Sequence, residues 1–305
     1  VRKYSFKSGV NIMYGCNNFC SYCIVPYVRG RERSREPKDI IREVERFVKE
    51  GVKEIMLLGQ NVNSYGKTLE NPISFAELLK EVSKVEGLER IRFMTPHPKD
   101  LSDELIETMA VTPKVCHHIH LPLQSGSSRI LKLMNRHYTK ESYLELVKKI
   151  RKRMPDAALT TDIIVGFPGE TEEDFNELVE FVKVAKFDRL GAFSYSREED
   201  TPADKLPNHL EQDVKDERRD ALMLVQQSIS EELNAAKVGN IYEVLVEEQI
   251  EDKVYIGRTK GDAEEIDSIV YVKSDKKLNI GDFVNVKITS ALEYDLMGDI
   301  VNELA

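Results

Sequence analysis

The stretch Gly15-Cys16-Asn17-Asn18-Phe19-Cys20-Ser21-Tyr22-Cys23 decides how this chain of 305 residues is interpreted, because it holds three cysteines in the spacing CxxxCxxC. The chain has 4 cysteines in all, and the fourth, Cys116, lies far along the sequence. Cubic iron–sulfur clusters are normally held by one cysteine thiolate per iron. A loop with three thiolates therefore predicts a cluster in which one iron is open to a ligand that is not protein.

Two other interpretations of the cysteines stay open at this point. A structural zinc site needs four ligands, usually in two closely spaced pairs, and only Cys116 could complete it. This alternative would make the protein a non-catalytic binding module that contains zinc. A disulfide framework is the second alternative, but four cysteines are sparse for this length, and no charged and then apolar leader precedes the motif.

Composition and charge narrow the class of protein. Hydrophobic residues make up 41% of the chain, and no apolar run approaches the roughly 18 residues that a membrane span needs, so we expect a soluble, cytoplasmic protein with no membrane partner. The first residue is Val1 and the cysteines follow almost at once, which is compatible with a fragment of a longer protein. The net charge of −9 is uneven, because the stretch from Val238 onward has 7 basic and 15 acidic residues.

Strand-length apolar runs alternate with helical patterns through the first two thirds of the chain. Such alternation predicts an α/β fold with a mostly parallel sheet, and right-handed crossovers curl six units into a partial (β/α)6 barrel resembling a TIM barrel. The predicted strands are Val10–Tyr14, Lys53–Gly59, Arg90–Met94, Cys116–Pro122, Ala158–Val165 and Leu190–Tyr195. The predicted helices are Pro37–Glu50, Ser74–Val85, Ser102–Met109, Lys140–Arg153 and Glu172–Lys183.

The last third of the chain has a different pattern. Apolar residues at helical spacing predict a connecting helix over residues 208–237, packed on the partial barrel of residues 1–207. Short strands with Gly and Asp turns then predict a small five-stranded β-barrel over residues 238–305. The expected strands of this small barrel are Tyr242–Glu247, Val254–Arg258, Ile269–Lys273, Asp282–Ile288 and Asp299–Val301.

In barrels of this type the site lies at the carboxyl ends of the strands. Four segments that follow predicted strands would meet there, and each is also compatible with an ordinary βα turn rich in Gly, Pro and Asn. They are Gly59–Gly66, Thr95–Pro98, Pro122–Gly126 and Gly166–Thr171.

Three further groups of residues allow a structural and a functional interpretation. His117, His118 and His120 invite a metal hypothesis, but histidines on a single strand are more often packed and hydrogen-bonded. Cys116 is expected to be a buried free thiol. A loop that carries Arg29, Arg31, Arg33 and Arg35 is either a solvated charge run or a site that holds carboxylate or phosphate.

The cysteine spacing and the aromatic Tyr22 before the last cysteine resemble the radical S-adenosylmethionine (radical SAM) superfamily. The resemblance implies that Cys16, Cys20 and Cys23 bind three irons of a [4Fe-4S] cluster, and that the amino and carboxylate groups of S-adenosylmethionine chelate the fourth. Cleavage of the cofactor by one electron would then give a radical that removes hydrogen from an unactivated C–H bond. No dedicated general base is assigned, because a radical removes the hydrogen atom.

A narrower resemblance rests on residues 16–27, CNNFCSYCIVPY, followed by residues 29–35, RGRERSR. Together they resemble the methylthiotransferases, which place a methylthio group on a carbon of a macromolecule and carry a C-terminal TRAM β-barrel. The family resemblance also implies an N-terminal domain with three further cysteines that holds a second cluster. Because this chain lacks those cysteines, we expect it to bind one cluster and to be an incomplete catalytic fragment.

The sequence points to two members of this family. Residues 58–66, LGQNVNSYG, and 120–126, HLPLQSG, resemble the MiaB type, which modifies N6-isopentenyladenosine beside the tRNA anticodon. Four other stretches resemble the RimO type, which modifies an aspartate of ribosomal protein S12. They are Phe187–Gly191, Tyr195–Glu199, Asp262–Asp267 and Glu293–Gly298. A chimeric origin is compatible with this mixture. An acidic tail is poor for RNA and suits a basic ribosomal protein, yet the predicted mouth is of the tRNA type, and we favour tRNA.

Placement at or just after strand ends then gives the candidate site residues. The cluster ligands are Cys16, Cys20 and Cys23. The candidates for holding S-adenosylmethionine are Tyr22, Gln124, Ser125, Arg136, Asp162, Gly166 and Phe167, where Gly166 would let the backbone approach adenine and ribose closely. The candidates for the substrate side are Gln60, Asn61, Asn63 and His97. An electron donor is the further partner that we expect.

Overall fold

The computed structural model describes residues 3–264 and 268–301, and it confirms the predicted α/β fold with a second, all-β barrel. Six parallel strands form the first barrel, and each is followed by helical structure. They are β1 (Lys7–Asn11), β4 (Glu54–Leu58), β5 (Arg90–Phe93), β6 (His118–His120), β7 (Ala158–Val165) and β8 (Arg189–Ser194). The small hairpin strands β2 (Met13–Tyr14) and β3 (Arg33–Ser34) lie between β1 and β4 in sequence.

The six strands occur in chain order, in two three-stranded parallel sheets. One sheet has the order β1-β4-β5 and the other β6-β7-β8. A parallel bridge between Ile91 and Val115 joins the two sheets, and the amide of Cys116 donates to the carbonyl of Ile91 at 2.9 Å. The strands are buried because helices cover their outer face and side chains fill the interior, which is typical of parallel sheets.

Helices cover the outside of this sheet, and their ends are fixed by local sequence. At α7, Thr171 and Asp174 form the reciprocal cap that the sequence predicts, with aspartate in the position usually held by Glu or Gln. The helices are α1 (Val25–Arg29), α2 (Pro37–Lys49), α3 (Phe75–Ser83), α4 (Asp103–Val111), α5 (Ser128–Leu133), α6 (Lys140–Arg153), α7 (Glu172–Ala185) and α8 (Gln212–Ala235).

The predicted first strand, Val10–Tyr14, is divided between the end of β1 and β2. Helix α1, strand β3 and helix α5 are absent from the sequence-based prediction. Each is short, with 5 residues in α1 and 6 in α5, so periodicity cannot reveal it. All three lie next to the cysteine loop. Strand β6 is also shorter than the predicted Cys116–Pro122, and beyond His120 it contacts β7 through the bond from the Leu121 amide to the Thr160 carbonyl at 2.7 Å and through a bridge between Gln124 and Ile163.

The tail forms a closed barrel with the strand order β10-β11-β13-β12-β9. The last strand starts at Leu296 rather than at Asp299 as predicted, because Val270–Lys273 pairs with it in parallel from Leu296 onward. Part of the RimO-like stretch Asp262–Asp267 lies outside the described residues. The strands are β9 (Ile241–Glu251), β10 (Val254–Arg258), β11 (Val270–Lys273), β12 (Phe283–Ala291) and β13 (Leu296–Ile300).

The tail barrel packs against the amino ends of the strands of the first barrel, which is the end opposite the predicted mouth. Glu54, the first residue of β4, is 1% exposed and accepts hydrogen bonds from Arg92 at 3.1 Å and from Arg258 of the tail at 2.7 Å. Arg92 also donates to the carbonyl of Thr259 at 2.7 Å. Buried charge therefore fixes the tail to the base of the partial barrel.

Among the described residues, no helix combines the length and the apolar character needed to cross a lipid bilayer.

Candidate functional site

The cysteine loop is held on one side by the hairpin β2–β3. Gly15 has φ +75°, and a Cβ there would lie 2.1 Å from the carbonyl oxygen of Arg31, so only glycine fits. The amide of Cys16 donates to the carbonyl of Gly30 at 3.2 Å. Asn17 and Glu32 exchange two bonds between backbone amide and side-chain oxygen, each 3.3 Å long. The backbone of the arginine-rich segment thus supports the cysteine loop.

On its other side the loop is held by the end of α5 and the turn that follows. The amide of Ser21 donates to the carbonyl of Met134 at 3.0 Å, and its hydroxyl donates to the carbonyl of Leu133 at 2.8 Å. The side-chain amide of Asn135 donates to the carbonyl of Phe19 at 2.9 Å. The loop is therefore fixed from two directions before any ligand binds.

The chemistry of the three cysteines fits a cluster. All are free thiols, and Cys16 and Cys20 are buried. Burial raises the pKa of Cys16, and Cys20, Glu32 and Cys23 raise it further, against the lowering effect of the Asn18 amide. Burial likewise raises the pKa of Cys23, and Cys20 adds to the effect. Thiolates that disfavour one another's charge need a cationic centre to be stable together, and iron supplies it.

A single metal ion would require a different arrangement of donors. Over residues 3–264 and 268–301, no group of three or more His, Cys, Asp or Glu side chains is arranged to hold one metal ion. In an iron–sulfur cluster each thiolate binds a different iron, so the three sulfur atoms do not have to converge on one metal ion.

Arg136 lies directly beside the cysteine loop. Its guanidinium donates to the Sγ atom of Cys20 at 3.3 Å and to the hydroxyl of Tyr22 at 3.4 Å, and the residue is 5% exposed. It also donates to the hydroxyl of Tyr138 at 2.9 Å and to the carbonyl of Pro122 at 2.9 Å. The sequence-based prediction did not include Tyr138. Its position two residues after the candidate Arg136 was the signal that could have indicated a contact between the two side chains.

A hollow of about 290 Å³ opens next to the cysteine loop, at the carboxyl ends of β7 and β8. Three of the residues predicted to hold S-adenosylmethionine line it, namely Tyr22, Gln124 and Asp162. Gln124 has φ +72°, an uncommon conformation for a residue other than glycine, and its backbone is bonded to β7 on both sides. The other lining residues are Ile164, Phe193, Ser194, Tyr195 and Ser196.

The hollow fits the predicted cofactor in its position and in its chemistry. Tyr22 offers an aromatic face, Asp162 a carboxylate, and Gln124 an amide, which together suit an adenosine with hydroxyl and amino groups. Tyr22 immediately precedes Cys23, so a molecule in the hollow would lie beside the cysteine loop.

Four predicted cofactor residues do not line the hollow, namely Arg136, described above, and Ser125, Gly166 and Phe167. Ser125 is 1% exposed and accepts from the amide of Ser127. Gly166 donates its amide to Glu170 at 2.8 Å, and the aliphatic chain of Lys215 fills the space beside its Cα. Phe167 is fully buried in a small apolar cluster with Ile130, Met134, Tyr195 and Ala203. These residues support the loops of the site from behind.

The predicted substrate-side residues lie at the ends of β4 and β5, and two of them hold each other. The side-chain amide of Asn63 donates to the carbonyl of His97, and its oxygen accepts from the amide of His97, both at 2.9 Å. Asn63 thus joins the loop after β4 to the loop after β5. Asn61 donates to Asp100 at 3.0 Å.

Within residues 3–264 and 268–301, three buried side-chain atoms of this region have no hydrogen-bond partner. They are Oε1 of Gln60, Oδ1 of Asn61 and Nε2 of His97. His97 is 5% exposed, and burial, together with Arg136, Lys99 and His137, lowers its pKa to about 2, so the ring is neutral. Its Nδ1 atom accepts from the amide of Lys99 at 3.3 Å, which leaves the proton on Nε2. A buried donor and two acceptors without partners mark a place that a polar ligand would complete.

The histidines of β6 are engaged in hydrogen bonds. His117, just before β6, also pairs with Asp156 at 2.9 Å, and His120 of β6 contacts Thr160 at 2.9 Å and Asp162 at 3.3 Å. Cys116 is buried, as expected, at the base of the barrel rather than at its mouth. Its neighbours include Arg90 and Arg92.

A six-stranded partial barrel with three cysteines at its mouth is the architecture of a radical S-adenosylmethionine enzyme, and the Radical SAM superfamily matches residues 10–182. The TRAM domain family matches residues 238–301. The chain is 54% identical over 301 residues to the ribosomal protein uS12 methylthiotransferase RimO of Clostridioides difficile, covering 99% of this chain and 68% of that protein. The chain belongs to the radical SAM methylthiotransferase family.

Relatives that carry a different name are equally similar. The tRNA-2-methylthio-N(6)-dimethylallyladenosine synthase of Lachnoclostridium phytofermentans is 52% identical over 304 residues, covering 99% of this chain and 65% of that protein. The enzyme of the same name from Alkaliphilus oremlandii is 53% identical, with 99% and 63% coverage. The chain thus spans about two thirds of the length of these relatives. Membership of the radical SAM superfamily implies a [4Fe-4S] cluster and S-adenosylmethionine.

Solved structures support the fold at much lower identity. The coproporphyrinogen III oxidase HemN of Escherichia coli superimposes with a TM-score of 0.55 at 15% identity, covering 75% of this chain and 54% of that one. The methyltransferase TsrM of Kitasatospora setae gives 0.54 at 19% identity, with 64% and 38% coverage. Both are described as radical S-adenosylmethionine enzymes, and at this identity the similarity concerns the fold alone.

Proposed function

We propose that this chain is the catalytic part of a methylthiotransferase that acts on N6-isopentenyladenosine beside the tRNA anticodon. The observation that carries the proposal is the location of the two sets of sequence similarity. The MiaB-like residues 58–66 and 120–126 form the ends of β4 and β6 and the loops after them, at the mouth that would meet the reacting group. Asn61 and Asn63, in the first of these two segments, are buried there.

Two of the RimO-like stretches instead meet at the opposite end of the barrel. Arg189, in Phe187–Gly191, donates to the carbonyl of Tyr294, in Glu293–Gly298, at 2.8 Å. It also contacts the hydroxyl of Ser268. This similarity therefore reflects how the tail attaches to the barrel, and it does not bear on which substrate enters the mouth.

The acidic tail is also a weaker argument against RNA than its composition indicates. Part of its negative charge is used inside the molecule, because Glu247 and Glu264 both pair with Lys7 of β1 at 3.0 Å. Asp282 pairs with Lys53 at 3.3 Å, and Glu243 pairs with Arg90 at 3.2 Å. Acids that are neutralised at an internal interface do not repel a phosphate backbone.

In the proposed enzyme Cys16, Cys20 and Cys23 hold the cluster, and Tyr22, Gln124 and Asp162 hold S-adenosylmethionine in the hollow. When bound, this pair supplies the removal of a hydrogen atom from an unactivated C–H bond. The chain's own residues position the reactants and exclude water. The transferred sulfur would come from a second cluster, held by an N-terminal domain of the kind the family resemblance implies, and an external donor would supply the electron.

On the substrate side, His97 offers a neutral Nε2–H donor, and Gln60 and Asn61 offer acceptors. An adenine base presents both ring-nitrogen acceptors and an N6–H donor, so it matches this mixed set. Asn63 acts by positioning His97. Because tRNA is a cytoplasmic component, the proposal carries a cytoplasmic location.

Methylthiolation of an aspartate of S12 is the second candidate. It is favoured by the RimO relative, 54% identical, and by the RimO-like stretch Tyr195–Glu199, since Tyr195 lines the hollow at the mouth. A carboxylate is an acceptor only, so it would satisfy His97 but would face the oxygens of Gln60 and Asn61 unfavourably.

The test compares binding of the reconstituted chain to an anticodon stem-loop with N6-isopentenyladenosine, to the same stem-loop with plain adenosine, and to S12, in about 0.15 M salt. We expect the modified stem-loop to bind most tightly, and His97→Phe to weaken this binding about tenfold because one hydrogen bond to the base is lost. The exposed tail substitution Gln249→Ala is the matched control. Tightest binding of S12 would overturn the tRNA assignment in favour of the second candidate.

Metal analysis separates both candidates from a zinc-containing binding module. The radical enzyme predicts brown protein with about four irons per chain and reductive cleavage of S-adenosylmethionine, whereas the module predicts about one zinc and no cleavage.

A further inference from the structure

The guanidinium of Arg136 makes four hydrogen bonds within the protein, from five N–H donors. Its Nε donates to the hydroxyl of Tyr138, its Nη2 to the carbonyl of Pro122, and its Nη1 to the Sγ of Cys20 and the hydroxyl of Tyr22. The guanidinium also lies over the ring of Tyr138, 5.2 Å from the centroid. A two-pronged grip on the carboxylate of a ligand needs two N–H donors, so it would have to break at least one of these bonds inside a buried site.

The position of this cation is fixed from both directions. The hydroxyl of Tyr138 donates to the carbonyl of Leu123 at 2.8 Å, so the Tyr138 side chain that accepts from Arg136 is fixed to the loop after β6. The amide of Arg136 donates to the carbonyl of Leu131 at 3.0 Å, which ties it to α5. Because Asn135 of the same turn is bonded to Phe19 of the cysteine loop, Arg136 and Cys20 are held by one continuous scaffold.

We propose that Arg136 is a positioning residue that sets the reduction potential of the cluster through its hydrogen bond to the Cys20 sulfur. Hydrogen bonds to the cysteine sulfurs, net charge and solvent exposure are the means by which proteins tune such clusters. A buried cation stabilises the state of the cluster that carries one more electron. The step involved is the uptake of one electron from an external one-electron reductant, with no bond made or broken.

This role differs from a role in holding S-adenosylmethionine, and the two predict different measurements. A residue that tunes the cluster changes the midpoint potential in the absence of S-adenosylmethionine. A residue that grips the carboxylate of S-adenosylmethionine changes the dissociation constant of that molecule and leaves the potential of the free cluster unchanged.

The experiment measures the midpoint potential by an EPR-monitored titration of the reconstituted chain without S-adenosylmethionine, using dithionite as the reductant. For Arg136→Met we expect the equilibrium constant for one-electron reduction to fall at least about tenfold, which corresponds to about 59 mV. Arg136→Lys keeps the positive charge, so its midpoint potential should stay closer to that of the unmodified chain than the potential of Arg136→Met does. Arg31→Met is the matched control, because Arg31, between α1 and β3, is an exposed cation over the ring of Phe19 of the cysteine loop, where solvent screens its charge.

If Arg136→Met does not take up about four irons, Tyr138→Phe decides the question, since it leaves the cation in place but removes the acceptor that aligns Nε. A smaller fall in the same direction is expected. An unchanged potential in whichever of the two variants holds its irons would overturn the proposal. The inference rests on the cluster proposed above, and failure of the unmodified chain to take up iron would refute that cluster rather than the role of Arg136.

Discussion

Replacing Glu54 by glutamine is predicted to loosen the tail from the base of the partial barrel. Glu54 lies among Arg92 and Arg258, at 3.1 and 2.7 Å, with Arg90 at 3.9 Å. Burial alone would raise the pKa of the Glu54 carboxyl, but Arg92 and Arg258 outweigh burial and lower the pKa from 4.5 to about 2. The carboxylate therefore favours the folded state in which these arginines surround it.

The size of the effect follows from this pKa. A difference of about 2.5 units between the folded and unfolded states corresponds to about 3 kcal/mol, at about 1.4 kcal/mol per unit. Removing one partner from a buried ion pair costs a similar amount, about 3–5 kcal/mol. We therefore expect Glu54→Gln to lower the free energy of unfolding by about 3 kcal/mol at pH 7.

The dependence on pH gives a second test of the same prediction. Because the folded pKa is lowered, the contribution of Glu54 is complete above about pH 4.5 and is lost as the pH falls toward 2. Urea denaturation followed by circular dichroism at several pH values measures the difference between Glu54→Gln and the unmodified chain. The control is Glu107→Gln, which removes an exposed carboxylate paired with Arg153 and should leave the urea midpoint unchanged.

Two results would refute this reasoning. One is a free energy of unfolding for Glu54→Gln within about 0.5 kcal/mol of the unmodified chain at pH 7, which is the scale of ordinary surface substitutions. The other is a destabilisation that keeps its full size from pH 7 down to pH 3, because by then more than half of the contribution of a carboxylate with this pKa is lost.

Further predictions concern the mouth. Cys16→Ala should lose iron uptake and brown colour on anaerobic reconstitution, measured by iron analysis, whereas Cys116→Ser should keep about four irons, because Cys116 lies at the base of the barrel. Gly15→Ala should also lose iron uptake, because its Cβ would collide with the backbone at Arg31, while Gly261→Ala, with no close backbone contact, should retain it. His97 has a folded pKa lowered from 6.5 to about 2, so its contribution to stability is complete above about pH 6.5 and falls as the pH drops. In urea titrations the unmodified chain should lose free energy of unfolding between pH 6.5 and pH 5, and His97→Gln should reduce this loss by about 2 kcal/mol. A loss of the same size in His97→Gln would contradict the lowered pKa of His97.

The fold was largely predictable, and the reason is visible in particular elements. Helix α6 occupies Lys140–Arg153 and strand β7 occupies Ala158–Val165, both as predicted, because long periodic segments carry a strong local signal. Helix α1 and strand β3 were missed, and Met13–Tyr14 was assigned to the first strand, because the hairpin β2–β3 encloses the cysteine loop and depends on contacts with it. The hydrogen bonds that join Cys16 to Gly30 and Asn17 to Glu32, in the segment between α1 and β3, have no counterpart in local periodicity.

The site was predictable in part. Tyr22, Gln124 and Asp162 line one hollow, as side chains near the carboxyl ends of neighbouring parallel strands converge there. That these residues hold S-adenosylmethionine stays a prediction. The same reasoning could not tell that Lys215 of α8 fills the space beside Gly166, or that the ring of Phe167 points into an apolar cluster. Those outcomes depend on residues that are distant in sequence.

The sequence by itself determined the three cysteines, the parallel barrel and the closed tail, because spacing and periodicity are properties of neighbouring residues. Only the tertiary structure decided what the polar residues do. In the folded chain Arg136 donates to the Cys20 sulfur at 3.3 Å. Among the described residues, the Nε2 of His97 has no partner at the mouth. Acidic residues of the tail pair with basic residues at the base of the barrel. Charge and hydrogen bonding act through space over a few ångströms, so their partners are known only once the chain has folded.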